Sequence, residues 1–498
     1  MTGHDQSTRQ HLAVAGASWW QHLRAAADRL RGNERAVRRV ALWSVGVLAG
    51  VAGCLIVGVP PSVVLGPVLL VLAIRRPFAG LLYAMIVFTV PLGLWLIGVR
   101  ALVGLAFGGR DYVLSLSSAV LVCALAAATV LRRGGRLPLR WLGIGAGAFA
   151  AAAVWAAIGI SHHGIAQTFT GLRLILVPLA LIVIVSGLER PVVERLLTVL
   201  SWLLAANAVA AAAELAIGPK RLVELGFTED RAVRYIDGVF RVSGLTEFNA
   251  ELGMLAGAYL LGYVASWLTP DARPRRRSWH VGAVVSTVCL VLSTSRSGAV
   301  LVLAGVLGAV VLHRSRNRVR RRLSLIVAGG LLVAVSAAFV ILGVAGSSSL
   351  FERFGVWRRL LSGAPLIGSG IGSAGAATYS RVARTSPVFV DNYYVNVGLQ
   401  FGPVVMVILI ALVVAALAVL SRASARHPIY VMPIAIVSGL ACASLVIDSW
   451  EFPSAILTLI LFYAYGTRRM TRTNSGGLAY ASPCPMGPPR GMPRPESG

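Results

Sequence analysis

The sequence predicts an all-α polytopic membrane protein of about 12–14 transmembrane helices, with both termini cytoplasmic. Three observations predict it. Of 498 residues, 57% are apolar and only 13% charged, roughly half the charge of a soluble surface. The apolar residues form long uncharged runs, so most must face lipid or other membrane helices. The basic residues sit in short clusters between those runs, as they do in the cytoplasmic loops of membrane proteins.

Residues 1–40 carry seven Arg against three acids and end in Arg38 and Arg39, directly before an apolar run. They read as a basic cytoplasmic segment without a cleavable signal. A membrane domain follows over 41–466. Its candidate spans are 41–58, 62–74, 77–98, 111–131, 141–160, 171–188, 196–213, 248–268, 281–293, 299–312, 323–345, 396–420, 429–447 and 453–466. Several are shorter than the roughly 20 residues that cross a bilayer squarely. The tail, 467–498, is rich in Pro, Gly and Ser beyond 471 and predicts a disordered cytoplasmic segment.

With the N-terminus inside, this parse puts Arg75–Arg76, Arg132–Arg140, Arg273–Arg277, Arg314–Arg322, Arg422–Arg426 and Arg468–Arg472 on one side. One missed span would move the later clusters across the membrane. Clustering between spans also argues against a nucleic-acid partner for the net charge of +27. Cys54, Cys123, Cys289, Cys442 and Cys484 are scattered, with no metal spacing and no disulfide framework.

Two outer loops stand out. Loop 214–247 holds Lys220, Arg221, Arg231, Arg234 and Arg241 with Glu224, Glu229, Asp230 and Asp237. Loop 346–395 holds Arg353, Arg358, Arg359, Arg381 and Arg384 against Glu352 and Asp391. A cationic outer loop suits an anionic ligand. The turn Thr294-Ser295-Arg296-Ser297-Gly298 joins two short spans, so Arg296 lies near or below the membrane surface. An Arg there is costly unless paired or hydrated, which makes it a functional candidate; the plainer reading is an interfacial anchor.

In Arg353-Phe354-Gly355-Val356-Trp357-Arg358-Arg359, Arg353 and Trp357 share a helix face at i,i+4. An Arg fork there can clamp a phosphate or diphosphate; the alternative is an amphipathic helix on anionic lipid. The stretch from Ser362 to Gly375 is Gly-rich but lacks the GKS/T ending of a phosphate loop, and reads as a compact turn. Asp391 can take or orient a hydroxyl proton, while Asn392 and Tyr394 can meet a sugar; the same residues also read as a helix cap and an aromatic belt. Arg241 closes the first outer loop, and Asn249 opens the following helix. Arg173, Glu214, Asp448 and Glu451 are lesser outward-side candidates. His162-His163 reads as surface.

Together these segments resemble the O-antigen ligase and polymerase family. An Arg-x-x-Gly-x-x-x-x-Asn stretch is matched by Arg241, Gly244 and Asn249. A Thr/Ser-x-Ser-Arg-Gly-like turn is matched by Ser293 to Gly298, with Ser297 intervening before the glycine. Arg-x-x-x-Trp-Arg, then Pro-Leu-x-Gly-x-Gly, is matched by Arg353, Trp357, Arg358, Pro365, Leu366, Gly368 and Gly370. A His/Asp-Asn-x-Tyr element is matched by Asp391, Asn392 and Tyr394. The resemblance covers roughly 60–466, with its core at 240–405. Ligases of the family carry His at the position of Asp391, whereas polymerase-like members often carry Asp, which leaves polymerase or ligase to another acceptor.

The resemblance implies a GT-C-like glycosyltransferase of the plasma membrane, using no cofactor and no metal. The donor it implies is a glycan on undecaprenyl diphosphate, attacked at the outer leaflet by a glycan or lipid-linked acceptor, in exopolysaccharide or capsule biosynthesis. Membrane lipids and a chain-length regulator or flippase are the further partners. Arg296, Arg353 and Arg358 would stabilise the leaving diphosphate, Asp391 would handle the acceptor proton, and Arg241, Asn249, Trp357, Asn392 and Tyr394 would bind substrate. A transporter or flippase of lipid-linked sugars shares the many spans and is the competing reading.

Overall fold

Gly164, Gly218 and Gly402, with backbone φ of 82°, 79° and 96°, each stand between two helices that would otherwise run together. A computed structural model of the chain describes residues 77–91, 139–224, 234–236, 239–269, 272–274, 276–313, 349–379 and 390–478, with Val122, Ala126, Ala383 and Val388. The chain divides into two compact units, and all of these residues belong to the larger, 73–100 with 114–498. The expected segment 1–40, the spans 41–58, 62–74 and 323–345, most of the span 111–131, Arg231, Asp237, Arg381, Arg384 and the tail beyond 478 lie outside the described residues.

The described part is helical apart from one small ribbon. Its helices are α1 (Pro77–Thr89), α2 (Leu139–His163), α3 (Ile165–Gly187), α4 (Arg190–Ile217) and α5 (Pro219–Glu224). Strands β1 (Arg234–Ile236) and β2 (Val239–Arg241) pair antiparallel, Arg234 opposite Arg241. Then come α6 (Asn249–Leu268), α7 (Arg277–Ser293), α8 (Arg296–Leu312) and α9 (Ser349–Ser362). The last four are α10 (Tyr393–Phe401), α11 (Pro403–Ser424), α12 (Val431–Ala443) and α13 (Pro453–Leu478). Ile165–Ser186, Arg190–Ile217 and Pro403–Ser424 are long and apolar enough to cross a bilayer. The chain is a multi-pass membrane protein.

The expected spans and the observed helices differ in informative places. Arg277 and Arg296 open 17-residue helices where hydropathy predicts 281–293 and 299–312. Thr294 takes the left-handed conformation that ends α7, and the Ser295 hydroxyl accepts from the Gly298 amide to start α8. The expected span 396–420 is two helices, broken at Gly402. The last helix runs to Leu478, past the expected boundary at 466.

Helix α6 is the hub, packed against α7, α8, α12 and α13, and its residues 252–262 are buried throughout. Small residues make this possible. Gly253 faces the side chain of Ser295, Gly257 faces the backbone of Gly298, and Gly262 faces the ring of Phe462. Gly305 and Gly439 bring α8 and α12 equally close. In lipid, where exclusion from water no longer drives association, such backbone approach is what holds helices together.

The helix ends expected outside are joined at one end of this bundle. Asn207 of α4 donates to the Thr89 carbonyl and accepts from the Leu245 amide (2.9 Å). Glu214, in the last turn of α4, accepts from the amides of Ser243 and Gly244 at 2.9 and 3.1 Å. Asn249 donates to the Ser293 carbonyl. The basic residues Arg190, Arg273 and Arg276 gather elsewhere, around Glu194 and Tyr465.

Candidate functional site

The segment between α9 and α10 is held by contacts that its glycines make possible. Gly368, Gly370, Gly372 and Gly375 all have positive φ, a conformation open to glycine and strained for other residues. The loop threads between the α2–α3 junction and the end of α10. Ser369 and Gly370 donate their amides to the carbonyls of Leu399 and Gln400 (2.8 and 3.0 Å), and Ile371 donates to that of Trp155 (3.0 Å). Gly372 donates to Oε1 of Gln400 and accepts from Nε2 of Gln167. These amides are consumed within the protein and are not a phosphate cradle. His162 and His163, read from sequence as surface, both set a ring nitrogen against the Ser369 carbonyl, at 3.4 and 3.1 Å.

Helix α9 lies over this loop. Trp357 is buried with Ala374, Val390 and Val395, and Leu360 and Leu361 pack on the same cluster. The indole is therefore an anchor. Arg353, one turn earlier on that face, reaches Asp391 through a 3.0 Å ion pair, with side chains 37% and 18% exposed. A pair so exposed remains open to a ligand. Arg358 and Arg359 are exposed on the other side of α9.

Asp391 stands directly before α10. Asn392 caps that helix, accepting from the amides of Tyr394 and Val395, and its own amide donates to the Leu445 carbonyl. The Tyr394 hydroxyl donates to the Ala441 carbonyl, and the Tyr393 amide to that of Ser444. Tyr393 also stacks on Trp450, with ring centroids 6.0 Å apart. The Asp391 turn is thereby locked onto the end of α12 and the short turn Ser449–Glu451.

Behind it lies a polar seam in which two lesser sequence candidates, Asp448 and Glu451, meet two residues the sequence reading missed, Asn396 and Gln400. Asn396 and Gln400, at i,i+4 on α10, are both buried. Gln400 donates to Oδ1 of Asn396, and Nδ2 of Asn396 donates to Oδ2 of Asp448. Oε1 of Glu451 accepts from the Ala376 amide at 2.8 Å. Asp448 and Glu451 lie between two spans. Burial pushes both carboxyls above the ordinary carboxylate range, and each has a further acidic neighbour, Asp391 for Asp448 and Asp448 for Glu451. Arg173 of α3 interacts electrostatically with Glu247 and Glu451.

The remaining candidates stand one step away. Arg296 opens α8, half-buried, beside Ser295 and the first turns of α6. Asn249 is buried against Ser293. Arg241 ends β2 and is 8% exposed. Within this group Asn249 bonds Ser293, and the Arg173 charge acts both on Glu247 here and on Glu451 on the Asp391 side. Among the described residues no three His, Cys, Asp or Glu side chains form a metal-binding group. Asn396 and Gln400 had a signal in the sequence, two amides one turn apart at the head of an otherwise apolar run. No protein-family model, characterised protein or solved structure matches this chain.

Proposed function

We propose that the protein is a GT-C-like glycosyltransferase of the plasma membrane with about 12–14 spans, an O-antigen ligase or polymerase type of enzyme. It transfers an undecaprenyl-diphosphate-linked oligosaccharide to a glycan or lipid-linked acceptor at the outer face. The observation that carries this reading is the Arg353–Asp391 pair, which joins a guanidinium suited to a diphosphate and a carboxylate suited to a proton. An arriving diphosphate competes with Asp391 for Arg353, so donor binding frees the carboxylate to face the acceptor hydroxyl. As the glycosidic bond to the donor breaks, Arg353 meets the growing charge on the leaving group, and Arg296 and Arg358 add to the cationic surroundings. Arg241 and Asn249 support the donor side, while Trp357, Asn392 and Tyr394 hold the frame in which the pair sits.

The test is glycan elongation by vesicles supplied with lipid-linked oligosaccharide. Arg353→Lys keeps the charge but loses the fork. It is expected to cost roughly 2–4 kcal/mol of transition-state stabilisation, about 30- to 1000-fold in rate. Undiminished transfer removes Arg353 from the site. Movement of labelled donor across sealed vesicles without elongation favours a flippase instead.

A further inference from the structure

Glu451, Asp448 and Asn396 converge on Gly375. A Cβ at that position would collide with Oε1 of Glu451, Nδ2 of Asn396 and, at 3.2 Å, Oδ2 of Asp448. The residue nearest the chemistry, Asp391, is close enough for its charge to act on Asp448. Asp448 is only 4% exposed, and its second oxygen, Oδ1, has no hydrogen-bond partner among the described residues. Two carboxylates confined together repel unless a proton or a cation lies between them. The Arg173 guanidinium already acts on Glu451 with its positive charge, as it does on Glu247. That charge disfavours a metal ion and leaves room for one proton. The other titratable group against the pair is Tyr393 of α10, while Arg353 acts on it through Asp391.

We propose that Asp448 and Glu451 form a proton-sharing pair which receives, by way of Asp391, the proton released by the attacking acceptor hydroxyl. This rests on the glycosyl-transfer reading. The acceptor oxygen bonds to the anomeric carbon while the bond from that carbon to the diphosphate oxygen breaks, its electron pair leaving with the diphosphate. The hydroxyl proton moves to Asp391 and on to the pair, which passes from one bound proton to two and returns the second to water before the next cycle. Neither carboxyl touches the donor, so both are positioning residues.

The experiment uses the full-length protein in vesicles with a synthetic polyprenyl-diphosphate oligosaccharide. It measures kcat and KM against pH for the wild type, Asp448→Asn and Glu451→Gln, with an infrared titration of protonated carboxyl groups in the absence of substrate. The wild type is expected to show a protonated carboxyl signal at neutral pH that either substitution reduces. In each variant kcat falls roughly 10- to 100-fold with KM unchanged, and the pH profile shifts. Glu451→Gln keeps an acceptor for the Ala376 amide and stands in if Asp448→Asn does not fold. Normal elongation with an unchanged carboxyl signal overturns the pair alone, as does a fall in kcat without any change in the pH profile. Activity abolished by a chelator and restored by magnesium overturns it in favour of a cation. A wild type that carries the signal but elongates nothing overturns the glycosyl-transfer reading, and with it the acceptor as the proton's source.

Discussion

Asp448 carries a burial cost that its hydrogen bond from Asn396 only partly relieves. Burial raises its carboxyl pKa in the folded protein, so the native state binds more protons than the unfolded chain between the ordinary carboxylate value, near 4, and the raised folded value. Stability therefore falls as pH rises through that window and stays lower above it. Asp448→Asn removes the titration while keeping an acceptor for Asn396. The expected result is a variant that melts at a higher temperature than wild type at pH 8, the difference shrinking as pH falls from about 7 towards 4; a constant difference across this range counts against the assignment. At this scale much of the candidate site is legible in the sequence. Arg353, Trp357 and Asp391 are named by spacing and resemblance, and the ion pair joins two of them. The fates of Asn392 and Tyr394 are not legible, because a cap and a sugar contact use the same side-chain atoms until the partners at Leu445 and Ala441 are known.

Helices α6 and α8 show what hydropathy can and cannot delimit. The apolar runs are found in order, yet α7 and α8 are longer than their apolar cores because Arg277, Arg296, Ser297 and Gly298 are helical despite their polarity or small size. The reason is local: a left-handed Thr294 and a capping Ser295 turn the chain within two residues. The break at Gly402 is hidden for the opposite reason, since Gly and Pro inside an apolar run look like one continuous span. Close packing fixes a prediction for these elements. In Gly253→Ala the new methyl meets the Ser295 side chain, and separating the helices should cost about 1–3 kcal/mol. A lower melting temperature in micelles checks it; an unchanged one shows that Ser295 can give way without cost.

For the whole molecule, the charge pattern predicts which ends belong together before any contact is known. The contacts among Thr89, Asn207, Glu214, Ser243, Asn249 and Ser293 unite ends expected on the outer side. The segment 363–376 is tied to two further residues expected towards that side, Gln167 and Glu451. What the charge rule cannot supply is which helices are neighbours, because that depends on glycine and serine facing each other across α6, α8 and α12. The topology itself predicts a labelling result. Leu366 is 75% exposed, so Leu366→Cys, in a background without native cysteines, should react with an impermeant maleimide on intact cells. Arg426→Cys should react only after permeabilisation. Reaction of position 366 from the cytosolic side alone removes the outer site altogether.

Helix α11 has a consequence of a different kind. Its apolar stretch from Pro403 has no buried residue before Ser424. It is fastened at its start, where Gly402 meets the carbonyl of Leu366, and near its finish, where Ser421 donates to the carbonyl of Leu312. Between those two fastenings one stripe, including Met406 against Gly398, is half-buried against neighbouring helices, and the exposed residues such as Val407, Leu412, Val414 and Val419 face away from it. At those exposed positions Leu, Ile and Val are interchangeable at little cost to any neighbour, whereas Gly305 and Gly439 admit no such drift.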